Sequence, residues 1–202
     1  MQFDMETLPQ KARYKILTAC VTPRPIAWVT SRSPAGVVNA APYSFFNVMG
    51  DDPPTVALGI LRHEADRVKD TAANIRDTGE FVVNLVTERD GTAMNATCAD
   101  VPPDRSEIEM AGIQTSASVK IRPPRIASSP AAFECVTSHL IATGKRQFVV
   151  IGRIVQAHVD DRYLIDREHH YIDSIAMNLL GRMHGSGWYS RQTDLIAIAR
   201  SR

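Results

Sequence analysis

The sequence predicts a mainly β domain, a closed or partly closed antiparallel barrel with helices inserted between its strands. Three observations lead there. At least six segments are short, rich in β-branched and aromatic residues, and bounded by glycine, proline or acidic turns. Helical periodicity is confined to a few stretches between them. No regular strand–helix–strand alternation runs through the chain, which argues against a doubly wound parallel sheet.

Taken in order, a polar lead-in carries a short helical piece over 8–17, and the first β-rich run follows at 26–30. Ser33-Pro34-Ala35-Gly36 has turn chemistry, so residues 37–41 return as a second strand. Pro42, which has no N–H for a ladder, is expected to end it. Residues 55–61 form a third strand. Over 66–78, Val68, Ala72 and Ile75 share one face and Gly79 suits the position after a helix end, so this reads as a helix. Residues 81–86 make a fourth strand and 88–99 a second helix. The polar stretch 100–118, with Pro102-Pro103, reads as a loop or insertion with little regular structure. Beyond Val119–Ile121 come β-like stretches at 131–143, 147–158 and 163–165, then 172–180 as a helix or apolar turn. The tail from Gly181 to Tyr189 is glycine-broken and aromatic.

At 202 residues the chain is expected to form one domain, 1–202, with a real core. A net charge of +1 leaves no global basic field to recruit nucleic acid. No apolar run approaches the ~20 residues needed to cross a bilayer, and the acidic start lacks the apolar core of a secretory signal. The expected location is therefore cytoplasmic. Cys20, Cys98 and Cys135 are odd in number and far apart, so they suggest neither a disulfide framework nor a zinc site. Each reads as a small buried apolar residue.

Hydrolytic and nucleotide motifs fail one by one. His63-Glu64 starts like a metalloprotease helix, but Arg67 stands where the second histidine belongs. No GxSxG elbow exists, and Gly144-Lys145 lacks both the upstream glycine and the following hydroxyl of a phosphate loop. His139, His158, His169 and His170 have no metal-ligand spacing, so no metal is expected and no catalytic residue is assigned.

Three groups of residues suit an aromatic ligand that carries a phosphate. Trp28, Val29, Thr30 and Ser31 offer backbone donors and hydroxyls at a strand end. Asn39, Ala40, Ser44 and Asn47 set small polar groups beside Tyr43, Phe45 and Phe46. Core packing of those rings is the competing reading, although two asparagines and a serine are a poor way to fill an interior. Lys69, Asp70 and Thr71 open a helix, where unpaired N–H groups and the dipole favour anions, with Arg62 and Arg67 nearby. Taken alone, that group is explained more simply by an ordinary capped surface helix. Arg182 and Tyr189, in the glycine-rich tail with Trp188, suit a clamp on a ligand or partner subunit, or a plain surface loop.

These groups occur together in one family. The chain resembles flavin reductase-like proteins with an FMN-binding split barrel over nearly its full length. The resemblance rests on PRPIAWVTS at 23–31, NAAPYSFFN at 39–47 and KDTAAN at 69–74. PPRIASSP at 123–130 with Phe133-Glu134-Cys135, and GRMHGSGWY at 181–189, complete it. It implies a six-stranded antiparallel split barrel, a homodimer, and FMN at the subunit interface. By the same resemblance Trp28, Val29, Thr30 and Ser31 face the flavin and its ribityl chain. Asn39, Ala40, Ser44, Phe45, Phe46 and Asn47 line the isoalloxazine edge, Lys69, Asp70 and Thr71 surround the phosphate, and Arg182 and Tyr189 close the site. The implied reaction is hydride transfer from NAD(P)H to flavin, as a bound cofactor or as a substrate passed to an oxygenase component. An FMN-holding electron-transfer protein without small-molecule turnover is the alternative.

Overall fold

The computed structural model describes residues 1–61, 68–102, 104–145 and 147–199. Seven strands form the central sheet: β1 (Ala27–Arg32), β2 (Val38–Tyr43), β3 (Phe46–Asp51), β4 (Pro54–Leu61), β5 (Glu80–Leu85), β6 (Ala131–Gly144) and β7 (Gln147–Val159). Their spatial order is β2-β1-β5-β6-β7-β4-β3, with every neighbouring pair antiparallel. The sheet is rolled. Its two edge strands, β2 and β3, are joined by Ser44 and Phe45 alone. Three Cα steps separate Tyr43 from Phe46, so these ends of opposite edges lie within about 11 Å of each other. The Gly59 N–H of β4 donates to the Phe45 carbonyl at 2.6 Å and seals the corner. A side chain at Gly59 would put its Cβ 2.9 Å from the Cβ of Phe45, which explains a glycine there.

The expected six strands become seven because residues 38–51 change sheet edge at this corner. Among the described residues no ladder pairs β2 with β3 or β4, so the barrel is split. The expectation that Pro42 ends the strand is corrected as well: Pro42 lies within β2, opposite Trp28, on an edge strand where a missing N–H costs no ladder bond on the open side.

Side chains alternate across the roll. Ala27 and Val29 of β1 point inward with Tyr43, Phe46, Val56, Leu58, Ile60, Phe81, Val83 and Val150. Trp28, between them, points outward into a second cluster with Ile26, Ala40, Val86, Met94, Ile108 and Ile126. Helix α1 (Gln10–Cys20) precedes the sheet, and α2 (Asp70–Thr78) buries Thr71, Ala72, Asn74 and Ile75 against it. Gly79 takes the left-handed conformation after α2, at φ 71°, as the spacing predicts. The expected start of this helix at 66 lies outside the described residues. The second expected helix shortens to α3 (Gly91–Ala96). The 100–118 stretch is more regular than expected, since it holds α4 (Glu107–Met110) and a strand, Thr115–Ser116, paired with Arg125–Ile126. Between 172 and 180, expected as a helix or an apolar turn, the chain takes the turn, with a single bridge from Thr87 to Leu179. Cys135 alone is buried as expected; Cys20 and Cys98 are exposed.

Glu134, fully buried on β6, accepts N–H bonds from Val119 and Lys120, each at 2.7 Å, and lies 2.6 Å from the His158 ring on β7. Burial alone would raise its pKa, but the Val119 N–H, the His158 ring and the Lys120 N–H outweigh it and hold the carboxyl below the ordinary glutamate range. A depressed folded pKa contributes stability above the unfolded value of about 4.3 and loses it as pH falls through the folded one. Glu134→Gln should therefore cost about 1–3 kcal/mol at pH 7 by opposing an amide to backbone donors. Denaturant titrations at pH 7 and at about pH 3, below the unfolded value, should show that cost shrinking on acidification; an equal cost at both would disprove the ionised pairing.

Candidate functional site

Three pockets that share lining residues adjoin beside the Ser44–Phe45 corner and together form a trough. Its closed end is lined by Asn39, Tyr43, Lys69, Thr71, Cys98 and Glu107. It passes over Pro42, Tyr43, Ser44, Phe45 and Gly59, then opens between Tyr14 and Leu17 of α1 and the β6–β7 turn at Gly144 and Lys145. Tyr14 and Phe45 stand 6.1 Å apart, tilted by 48°, as one aromatic wall.

Lys69 sits at the amino end of α2 with its ammonium 5.7 Å from the Tyr43 ring centre. No side chain caps this helix end, so the first-turn N–H groups lack partners within the helix. Asp70 adds a carboxylate at the same lip and partly offsets the lysine.

The closed end is wired by polar groups. Asn39 Nδ2 donates to both Glu107 oxygens, at 2.8 and 2.9 Å, and the Ala40 N–H reaches Oε2 at 3.3 Å. Thr71 Oγ1 donates to Asn39 Oδ1 at 2.7 Å. Desolvation by burial raises the Glu107 pKa, with backbone and Asn39 bonds partly opposing it. Tyr43, 7% exposed, keeps a phenol oxygen with no hydrogen-bond partner among the described residues. Burial pushes that phenol far up in pKa, and the Thr71 hydroxyl partly offsets this.

Arg24 holds the other side. Its guanidinium, buried without a carboxylate, donates to the Thr18 and Val21 carbonyls at 2.7 Å each, closing the end of α1. It also reaches Ser44 Oγ at 3.3 Å and the Met183 carbonyl at 3.2 Å. Arg24–Pro25 pairs with Gly181–Arg182, which pairs in turn with Tyr189–Ser190, so the tail is stitched to the same corner. Arg182 lies 4.9 Å from the Tyr189 ring centre and bonds the Gly185 and Trp188 carbonyls. Partial desolvation raises the thiol pKa of Cys98, exposed as the residue is, while the charges of Lys69 and Arg182 oppose this.

The structure brings together Asn39, Ser44, Phe45, Lys69, Asp70 and Thr71 on this trough. It separates others. Trp28 turns into the outer cluster and donates to Thr97 Oγ1 at 3.0 Å, while Val29 and Phe46 pack in the inner one. The backbone of residues 27–30 is paired on both sides, with β2 and with β5, so the donors expected there are engaged in the sheet. Thr30 donates to the Pro124 carbonyl, and Ser31 accepts from Asn74. Ala40 offers its N–H to Glu107, and Asn47 is exposed, accepting its neighbour's N–H. Sequence reasoning missed Arg24, Tyr14 and Glu107. The proline-flanked arginine and the isolated Ser106-Glu107 helix start were their only signals.

Residues 19–173 match the model of the flavin reductase like domain. The chain belongs to this family. Nitrilotriacetate monooxygenase component B from Bacillus cereus is 32% identical, with a TM-score of 0.91 over 98% of both chains. The Pseudomonas fluorescens 2-nitrobenzoate 2-nitroreductase NbaA is 35% identical, with a TM-score of 0.89 over 100% of this chain and 96% of that one. A split-barrel protein from Shewanella frigidimarina shares 20% identity and a TM-score of 0.83 over the whole of both chains, a likeness of fold alone. No helix among the described residues is long and apolar enough to cross a membrane.

The trough suits a flavin family member. It offers a cation and the amino end of a helix at one end, and an aromatic wall along its length. Arg24→Met should cost roughly 2–4 kcal/mol, since it strands buried carbonyl acceptors. Hydrogen exchange should show protection lost first over 14–21; unchanged protection there would refute the anchoring role.

Proposed function

We propose that the protein is an NAD(P)H-dependent flavin reductase that binds FMN in this trough and acts as a homodimer, in the cytoplasm, with an oxygenase component as one possible recipient of reduced flavin. The observation that carries this reading is Lys69 at the uncapped start of α2, beside an aromatic-walled trough, in a flavin reductase-like chain. FMN, when bound, supplies the electron-accepting ring to which a nicotinamide hydride is delivered.

The chain's own residues bind and orient. Lys69 neutralises the phosphate, and the positive end of the α2 dipole favours the same anion. Tyr43, Phe45 and Tyr14 cover apolar ring surface and exclude water from it. Ser44, held by Arg24, and Asn39, held by Glu107, keep the two walls at a fixed spacing, which is what positioned hydride transfer requires. Arg182 and Tyr189, stitched to the corner, close the site, either over their own trough or over the partner's. Trp28, Val29 and Phe46 support the walls from behind, while Thr30, Ser31, Ala40 and Asn47 complete the surrounding shell.

Lys69→Ala should weaken FMN binding by roughly 1–3 kcal/mol, the loss of one charged hydrogen bond, and leave riboflavin binding nearly unchanged. Fluorescence titration with both ligands checks this; equal curves for mutant and wild type with FMN remove the phosphate assignment. Flavin-dependent oxidation of NADH or NADPH by the purified protein supports the reductase. Tightly held flavin without pyridine nucleotide turnover points instead to an electron-transfer protein.

A further inference from the structure

Helix α1 buries little of itself: Thr18 is its one buried residue. Gln10, Arg13, Tyr14 and Leu17, spaced i, i+3, i+4 and i+7, share one face, the kind a surface helix ordinarily packs on its core. Here that face turns to the open end of the trough, and Tyr14 and Leu17 each stay 48% exposed. Leu61 and Gln147, paired across β4 and β7, lie on the sheet side of the same space. The space between helix and sheet is about 450 Å³, within the range of small-molecule sites.

Its charge is one-sided. Arg13 lines it from α1 and Lys145 from the β6–β7 turn, and among the described lining residues there is no carboxylate. The closed end differs, since Asp70, Asp100 and Glu107 line it together with Lys69. Helix stability does not ask for the charge on α1, which has Lys11, Arg13 and Lys15 but no acid, even in its first turn, where the dipole favours one. Arg13 Nη1 donates to the Met5 carbonyl at 3.1 Å, which steadies the guanidinium without neutralising it. Gln147 Nε2 donates to Thr143 Oγ1 at 2.8 Å and braces the turn that carries Lys145. Covering this space with an apolar protein surface would bury cations without partners, which is costly. A small anion joined to a planar ring meets both demands.

We propose that the open end of the trough binds the pyridine dinucleotide reductant, with Arg13 and Lys145 holding its pyrophosphate from the helix and the turn. The inference rests on the reductase reading and deepens it by giving the second substrate its own residues. Tyr14, Phe45 and Leu61 line both this space and the middle of the trough, so the two ligands meet there. Their phosphates then lie at opposite ends, which keeps like charges apart.

N-benzyl-dihydronicotinamide carries the same reducing ring without any phosphate, so it separates ring binding from pyrophosphate binding. Steady-state oxidation of this carrier and of NADH or NADPH, whichever turns over, is compared at saturating flavin in wild type, Arg13→Ala, Lys145→Ala, Lys145→Arg and the double Ala variant. Each Ala change should raise KM for the dinucleotide about 3- to 10-fold and lower the ratio of its kcat/KM to that of the carrier by the same factor. Lys145→Arg should keep the wild-type KM. Added salt should raise the dinucleotide KM of wild type more than that of the double variant. A loss shared equally by both reductants, or Ala variants that match wild type, overturns the proposal. So does a change of oligomeric state in Lys145→Glu, followed by sedimentation, since it gives the open end to a second subunit. Should Arg13→Ala not fold, exposed Lys145 decides alone. Wild type that binds FMN yet oxidises neither reductant overturns the reductase reading and this inference with it, whereas normal turnover with unresponsive variants overturns this inference only.

Discussion

Two residues joining opposite edges of one sheet govern this molecule. Because only Ser44 and Phe45 separate β2 from β3, the seven strands have no freedom to lie flat. The roll encloses Phe81, Leu58 and Val83, and it also leaves a cleft at the seam, where the edges approach without pairing. Core and cleft thus have a single geometric origin. The same corner places Tyr43 on both, as a member of the core cluster and of the trough lining.

Around the seam, stability and site are built from shared parts. Arg24 closes a helix end, steadies Ser44 and receives the tail, so one guanidinium serves three elements far apart in sequence. Glu107, from a helix of four residues, ties α4 to β2 through Asn39 and the Ala40 N–H. Both are buried charges whose partners are mostly backbone or amide groups, and such partners satisfy each lone pair or proton without a counter-ion. Local loosening at either residue would move a wall of the trough before it unfolded the barrel.

Much of this was legible in the residues. The β-rich runs at 26–30 and 81–86, the Ser33–Gly36 turn and Gly79 after α2 all find their places because local pattern and tertiary demand agree there. The second half of 39–47 resisted, since Phe46 to Asp51 carries exposed Val48 and Met49 on an edge strand and lacks an alternating apolar face. Site assignment shows the same division. Lys69 and Thr71 could be found from helix-start chemistry. The inward turn of Phe46 and the outward turn of Trp28 depend on strand register, and the link from Asn39 to Glu107 spans 68 positions of sequence, which spacing does not reveal.

The corner has a consequence for biosynthesis. Residues 38–51 leave the ribosome early, while β6 and β7, which complete the path between the two edges, begin only at Ala131. Until that hairpin arrives, the core cluster of Tyr43 and Phe46 lacks Cys135 and Val150, and a nascent chain must carry uncovered apolar surface for most of its translation. Chaperone demand in the cell is thus written into the order in which the strands are made.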